Sequence, residues 1–270
     1  MNLVQSIILG LVQGLTEFLP VSSTAHLALV PWFFKWSDPG LAFDVALHIG
    51  TLAAVIYYFW RDFVVIVKEF IQSIFAMSFE SYPNGKLGLF IIIATVPGAL
   101  FGFLFEKQAE EAFRNPLIIA LSVFIFGIVL YMVDKLSRKR KEISDMSLLD
   151  CIVIGISQAL AIIPGVSRSG ITIIGGLARN LKRDTAARFS FLLSAPLIAG
   201  AAVLESRHLD HAGVTGLPFA AGILTSAVFG FLAIKYLLRY VQTESYTVFV
   251  IYRILLAVLI LFVYMHRVGS

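Results

Sequence analysis

Gln13 and Glu17 stand one helical turn apart in the stretch Gly10-Leu-Val-Gln-Gly-Leu-Thr-Glu-Phe-Leu-Pro-Val-Ser-Ser-Thr-Ala-His-Leu27. At that spacing both side chains leave one face of a helix. Pro20 then breaks the helix, and Ser22, Ser23, Thr24 and His26 follow the break. A carboxylate at membrane depth costs on the order of 3 kcal/mol on insertion scales, so Glu17 needs a reason to be there. It can ligate a metal, act as a general base, or make a structural hydrogen bond to a neighbouring helix. Gln13 can orient Glu17 or offer its carbonyl oxygen to a metal. Ser23 beside His26 is the minimal activated nucleophile if the loop curls. Helix capping accounts for at least one of Ser22, Ser23 and Thr24.

A second stretch answers the first. Residues 155–172 read Gly-Ile-Ser-Gln-Ala-Leu-Ala-Ile-Ile-Pro-Gly-Val-Ser-Arg-Ser-Gly-Ile-Thr. With Gln13 placed over Gln158, Gly10 falls on Gly155, and Val21-Ser22-Ser23 falls on Val166-Ser167-Arg168. Arg168 reads as the only arginine deep within an apolar segment. Its guanidinium fork matches phosphate oxygens. The surrounding glycines, Ser167, Ser169 and free backbone N–H groups can wrap an anion. The alternative is a plain ion pair between Arg168 and Glu17. One stretch carries an acid and the other a base, which suggests two halves of one site. Asp44 and His48, at i and i+4, read as a local hydrogen bond. His208, Asp210 and His211 read as a solvated turn.

The elements that position these residues follow from composition. The chain has 270 residues, of which 59% are hydrophobic and 14% charged. Soluble domains carry roughly 25% charged residues, so this is an integral membrane protein. The net charge of +4 says less than the placement of Lys and Arg. The single Cys151 excludes an internal disulfide, and no thiolate metal site, zinc signature or nucleotide phosphate loop is present. No Lys or Arg precedes Lys35, and Glu17 interrupts the apolar region, so the N-terminus does not read as a signal peptide. No segment is suited to fold as a separate soluble domain, so residues 1–270 read as one membrane domain.

Broken segments are predicted near 3–34 and 147–178. Spans are predicted near 41–60, 87–105, 116–134, 187–204, 216–238 and 247–265, each close to the ~20 residues that cross a bilayer core. Residues 61–86 read as amphipathic and surface-lying, and Glu106 to Asn115 as a charged turn. The basic loop from Lys135 to Glu142 belongs inside, as does the basic stretch 179–188. Both can be inside only if 147–178 enters and leaves from one face. By the repeat, 3–34 does the same from the other face. Both termini and residues 205–213 are then outside. The fold class expected is an all-α polytopic membrane protein made of two inverted repeats, about 1–134 and 147–265. Each is a re-entrant helical hairpin plus three transmembrane helices. Ala99-Leu-Phe-Gly-Phe-Leu104 and Ala227-Val-Phe-Gly-Phe-Leu232 echo the repeat. Such architecture recurs in secondary transporters.

Gln13-x-x-x-Glu17, Phe18-Leu-Pro-Val-Ser-Ser-Thr-Ala-His26 and Pro164-Gly-Val-Ser-Arg-Ser-Gly-Ile-Thr172 together resemble the motifs of the undecaprenyl-diphosphate phosphatases, the bacitracin-resistance family. The resemblance covers length, segment order and both motifs. Many members carry Glu where this chain has Gln13. The resemblance implies hydrolysis of a C55 polyprenyl diphosphate to the monophosphate carrier of cell-wall synthesis. It implies a bacterial inner membrane, a site facing the periplasm or exterior, and a divalent cation, Mg²⁺ or Ca²⁺. By position, Glu17, Ser23, His26 and Arg168 form its catalytic core. Ser22, Thr24, Ser167, Ser169, Gly170 and Thr172 surround the substrate, and Gln13 and Glu17 hold the metal. Partners are then the lipid substrate and membrane lipid, with no nucleic acid and with room for a homodimer. Ser23 or a water attacks in line, and either His26 or Glu17 takes the proton. The competing reading is a transporter or flippase of a phosphorylated polyprenyl lipid, which needs Arg168 but no activated hydroxyl.

Overall fold

The computed structural model describes residues 1–105, 115–205 and 216–268. Most of the charged turn that begins at Glu106, and the loop with His208, Asp210 and His211, lie outside the described residues.

In lipid every backbone N–H and C=O must be satisfied within the chain, which leaves an apolar sequence the helix as its unit. The described residues form eleven α-helices: α1 (Leu3–Phe18), α2 (Ser23–Phe34), α3 (Leu41–Tyr58), α4 (Trp60–Phe75), α5 (Pro83–Leu104), α6 (Pro116–Leu136), α7 (Leu148–Ala159), α8 (Arg168–Ala178), α9 (Arg183–Glu205), α10 (Leu217–Tyr240) and α11 (Thr247–Val268). Six of them, α3, α5, α6, α9, α10 and α11, are long and apolar enough to cross a membrane. The protein is a multi-pass membrane protein. The six coincide with the predicted spans, although α5 and α9 start four residues earlier, at Pro83 and Arg183. Proline fits the first turn of a helix, where its missing N–H has no partner to lose.

The two broken segments are pairs of short helices. α1 and α2 have 16 and 12 residues, and α7 and α8 have 12 and 11. At 1.5 Å per residue these are about 16 to 24 Å long, short of the ~30 Å hydrocarbon core. The second pair starts and ends at one end of the molecule. Arg140 N–H donates to Asn180 O at 2.9 Å, and Lys182 N–H to Lys141 O at 2.9 Å. Buried Asp150 holds Lys141 Nζ at 2.9 Å and Arg179 Nε at 2.7 Å, while buried Asp134 holds Arg183 Nε at 2.7 Å. The two basic stretches that charge placed on one side are therefore physically tied together.

Packing between hairpins and spans is close. α1 lies along α10 and α7 along α5; α3 meets α9 and α10, α9 meets α5, and α6 packs on α11. Gly10 meets the Gly222 backbone with no room for a Cβ, and a Cβ on Gly155 would come within 2.8 Å of Ala94 Cα. The amphipathic segment is α4, which leaves Val64, Ile71 and Phe75 exposed and packs on α5. Phe18, Phe59, Phe189 and Phe191 are fully buried in the largest apolar cluster, which keeps the hairpin breaks between the spans.

Candidate active site

Both hairpins break by the same device. Ser22 and Ser167 take φ of 74° and 76°, in the left-handed half of backbone space that non-glycine residues seldom adopt. Each then caps the helix that follows. Ala25 N–H donates to Ser22 Oγ at 3.4 Å, and Gly170 N–H to Ser167 Oγ at 3.1 Å. Ser22 and Thr24 share a hydroxyl contact of 3.2 Å, and Ser167 and Ser169 another of 3.2 Å. The turn places Ser23 and Arg168 at the first positions of α2 and α8. Gly165 adds φ of 88° to the second loop, where a Cβ would lie 2.8 Å from Ile119 O.

Irregular backbone at this depth leaves carbonyls without helical partners, and one side chain collects them. Arg253, on α11 and 1% exposed, donates to Pro20 O at 3.1 Å, Gly165 O at 2.9 Å and Val166 O at 3.3 Å. It also reaches Val123 O at 2.9 Å and Ser122 O at 3.4 Å on α6. Arg168 is therefore not the only arginine deep in an apolar segment. Arg253 lies in the most apolar stretch of the C-terminal half, and a lone arginine among such residues was the available signal.

Glu17 is the centre of the polar cluster. Its Oε1 accepts from Arg168 Nη2 at 2.6 Å. Its Oε2 accepts from Ser23 Oγ at 2.6 Å and Gln13 Nε2 at 3.0 Å, with His48 Nε2 at 3.3 Å. Arg168 also donates Nη1 to Ser190 O at 3.1 Å. A guanidinium has five N–H groups, so these two bonds leave three for a ligand. Glu17, Arg168 and His48 line a cavity of about 200 Å³ whose remaining wall is Val45 of α3 with Leu197, Ile198, Ala201 and Ala202 of α9. His48 thus goes beyond a local bond. It does make one, from Nδ1 to Asp44 O at 2.7 Å, but its other nitrogen faces Glu17.

Ser23 and His26 do not pair. The His26 ring spends Nδ1 on Ser22 O at 2.7 Å and Nε2 on Tyr252 OH at 2.6 Å, and it stacks on the Tyr252 ring. A carbonyl can only accept, so Nδ1 carries the proton and the neutral ring accepts from the tyrosine. The Ser23 hydroxyl goes instead to the carboxylate, which is the stronger acceptor. The remaining predicted residues bond to one another and to neighbouring groups. Thr172 Oγ1 meets Ser190 Oγ at 2.7 Å, and Ser169 Oγ donates to Leu19 O at 3.1 Å, joining one hairpin to the other. Ser22, Thr24, Ser167, Ser169, Gly170 and Thr172 therefore build the two loops around the Glu17 and Arg168 pair. Tyr252 and Ser190, like His48, come from spans whose rotation against the hairpins no sequence pattern records.

The donor set suits an open cation site. Among the described residues no cluster of three or more His, Cys, Asp or Glu side chains could enclose a metal. Beside Glu17, however, Gln13 Oε1 is buried without a hydrogen-bond partner. Mg²⁺ and related ions are commonly held by one or two carboxylates, with substrate phosphates and water completing the shell. The residues present fit that mode.

A family model described as bacitracin resistance protein BacA matches residues 6–259. The chain is 55% identical over 267 residues to an undecaprenyl-diphosphatase of Moorella thermoacetica, covering 99% of this chain and 100% of the relative. It is 49% identical over 269 residues to an undecaprenyl-diphosphatase of Caldicellulosiruptor bescii, covering 99% of each. A third, from Desulforudis audaxviator, is 46% identical over 267 residues, covering 99% of this chain and 100% of the relative. With a carboxylate, hydroxyl and guanidinium cluster set among six helices long and apolar enough to cross a membrane, and with these matches along nearly its whole length, the chain belongs to the bacitracin resistance protein BacA family.

Proposed function

We propose that this protein is a membrane phosphatase that hydrolyses undecaprenyl diphosphate to the monophosphate and inorganic phosphate, regenerating the lipid carrier of cell-wall synthesis and thereby giving bacitracin resistance. The observation that carries the reading is the Ser23 Oγ to Glu17 Oε2 bond of 2.6 Å, with Arg168 on the other carboxylate oxygen beside the cavity. A site that only binds a diphosphate has no use for a hydroxyl aimed at a carboxylate, whereas an attacking hydroxyl needs a proton acceptor. This favours hydrolysis over transport.

Ser23 Oγ passes its proton to Glu17 and attacks the terminal phosphorus in line. The bond to the bridging oxygen breaks, and the polyprenyl monophosphate leaves. Glu17 gives that proton to the departing monophosphate and is a carboxylate again; water then cleaves the phosphoserine, with Glu17 taking the water's proton and returning it to Ser23 Oγ as the bond to phosphorus breaks. Arg168 offers its remaining N–H groups to the phosphoryl oxygens, where charge is spread in the transition state. Gln13 and Glu17 hold a divalent cation, Mg²⁺ or Ca²⁺, which when bound supplies further neutralisation of the diphosphate. His26 positions the loop through Ser22 O and does not move the proton. The apolar wall of Leu197, Ile198 and Ala201 suits the first carbons of the tail.

Two inverted repeats, about 1–134 and 147–265, complete the reading. The packing of α1 on α10 is answered by α7 on α5, and that of α3 on α10 by α9 on α5. A two-fold exchange of the halves would generate these pairs. With the basic stretches 135–142 and 179–188 in the cytoplasm, α1 and α2 enter from the periplasmic or exterior face of the inner membrane. Two experiments test the proposal. Purified protein should release phosphate from undecaprenyl diphosphate in a chelator-sensitive reaction; no release sinks the function. Strong labelling of a cysteine at position 140 from outside the cell would overturn the orientation.

A further inference from the structure

α1 serves two cavities from opposite faces. Glu17 lines the one walled by α3 and α9, while Leu15 and Leu19, two residues to either side, leave the other face of the helix. There they line a groove of about 580 Å³ with Phe229 and Leu232 of α10 and Phe249 of α11. That volume is in the range of small-ligand sites, about 300–1,000 Å³. From Phe229 to Tyr240 the lining follows one face of α10 for about 16 Å at 1.5 Å per residue. This is half of the ~30 Å hydrocarbon core, the depth of one leaflet. The polar groups gather at the C-terminal end of α10, where Tyr236, Arg239 and Tyr240 line the groove. Tyrosine is a residue of the membrane–water boundary. Arg239 is exposed and makes no hydrogen bond or ion pair among the described residues; exposed Lys235 stands one turn before it. Glu244, in the turn that follows, pairs with neither. Tyr246 OH donates to Arg183 O at 3.1 Å, beside the Arg183 and Asp134 ion pair, so this mouth lies at the basic end of the molecule.

We infer that this groove is a binding site for one anionic phospholipid, with its phosphate on Arg239 and one acyl chain lying along α10 against Leu15 and Leu19. Length, lining and charge each select this occupant. One leaflet of depth suits an acyl chain, whereas a C55 tail is far longer and, in the proposed reaction, starts from a head group on the other face of α1. An apolar lining accepts any acyl chain, and the unpaired guanidinium at its mouth adds a preference for a head group of net negative charge. The bound chain backs α1 on the side away from Glu17. Leu19 O accepts from Ser169 Oγ at 3.1 Å, so the lipid also braces the point where the two hairpins meet. The site stands whether or not the protein is a phosphatase.

The test is native mass spectrometry on the full-length purified protein. Protein exchanged into lipid-free detergent is titrated with phosphatidylglycerol or phosphatidylcholine carrying the same acyl chains. The first phosphatidylglycerol should bind roughly fivefold more tightly than the first phosphatidylcholine, the worth of one cation at an anionic surface. Arg239→Gln should remove that preference. Lys68→Gln, which takes an exposed cation from α4, should keep it. Leu232→Trp fills the groove and should lose the first bound lipid of either kind. Equal affinity for the two lipids in the wild-type protein overturns the inference. Equal losses in Arg239→Gln and Lys68→Gln overturn it too, since they mark diffuse surface charge. A first lipid retained by Leu232→Trp lies elsewhere and sinks the site. Displacement of phosphatidylglycerol by one equivalent of undecaprenyl diphosphate would give the groove to the substrate tail instead. If Leu232→Trp does not fold, the comparison of Arg239→Gln with Lys68→Gln still decides. Phosphate release is not read in this experiment, so its failure leaves the phosphatase reading untouched.

Discussion

The two hairpins are built alike and equipped differently. Both turn through a serine at φ near 75°, both cap the next helix with that serine, and both pair its hydroxyl with another two residues on. Both carry a buried glutamine, Gln13 or Gln158, whose carbonyl oxygen lacks a hydrogen-bond partner. The difference lies in what surrounds that shared frame. One turn after Gln13 comes Glu17, whereas the same position after Gln158 is Ile162. Gln158 accordingly gives its amide to Ala94 O at 3.0 Å, while Gln13 gives its own to Glu17. After the capping serine, one hairpin has Ser23 and the other Arg168. The same backbone thus supplies an acid and a hydroxyl from one side and a cation from the other. In the mechanism proposed above, the first hairpin supplies the reacting groups and the second the stabilising charge.

This division can be broken by experiment. The largest effect should come from Ser23→Ala, which removes the attacking oxygen alone. It should lower phosphate release by about 10³-fold or more and leave diphosphate-lipid binding largely intact. Ser167→Ala, in the matching loop, should retain far more activity; equal losses would mean that both serines act only as scaffold. Next comes Arg168→Lys, which keeps the charge but loses the fork and should cost about 10² in kcat/KM. Near-full turnover there, at normal expression, would remove Arg168 from phosphate recognition. Glu17→Gln keeps the shape and loses the charge. If Glu17 chiefly holds the cation, excess metal should partly restore its rate; if it chiefly takes the proton from Ser23, metal titration will not help. The smallest effect sharpens the likeness. Ser22→Ala and Ser167→Ala should each destabilise the protein by about 1 kcal/mol through loss of a cap, and by similar amounts. Thermal unfolding in one detergent would compare them, and a difference of several kcal/mol would show that the two frames are not equivalent.

The spans and the short helices were legible because apolar runs near twenty residues, prolines and hydroxyl clusters are written locally in the chain. The Glu17 and Arg168 pair was legible because a carboxylate and a guanidinium are both costly in lipid and each needs a partner. The pairing of Ser23 with His26 misled because nearness in sequence does not fix the direction of a side chain; both His26 nitrogens point away to Ser22 O and Tyr252. His48 was legible only as a neighbour of Asp44. Its contact with Glu17 depends on how α3 is rotated against α1, which no residue pattern states. Arg253 binds carbonyls, and carbonyls leave no mark on a sequence.

Arg253 also has a bearing on how the protein is made. Chains emerge from the ribosome N-terminus first, so both hairpins and five of the six spans are synthesised before α11. Until that helix arrives, the Pro20, Gly165 and Val166 carbonyls lack the guanidinium that ties them together. Buried acceptors left unmade cost about 1–3 kcal/mol each, enough to keep the two loops from settling. A nascent chain therefore has Glu17, Ser23 and Arg168 in the bilayer before the loops beside them are tied together. Ordering of the two loops thus waits on the insertion of α11 in the correct orientation.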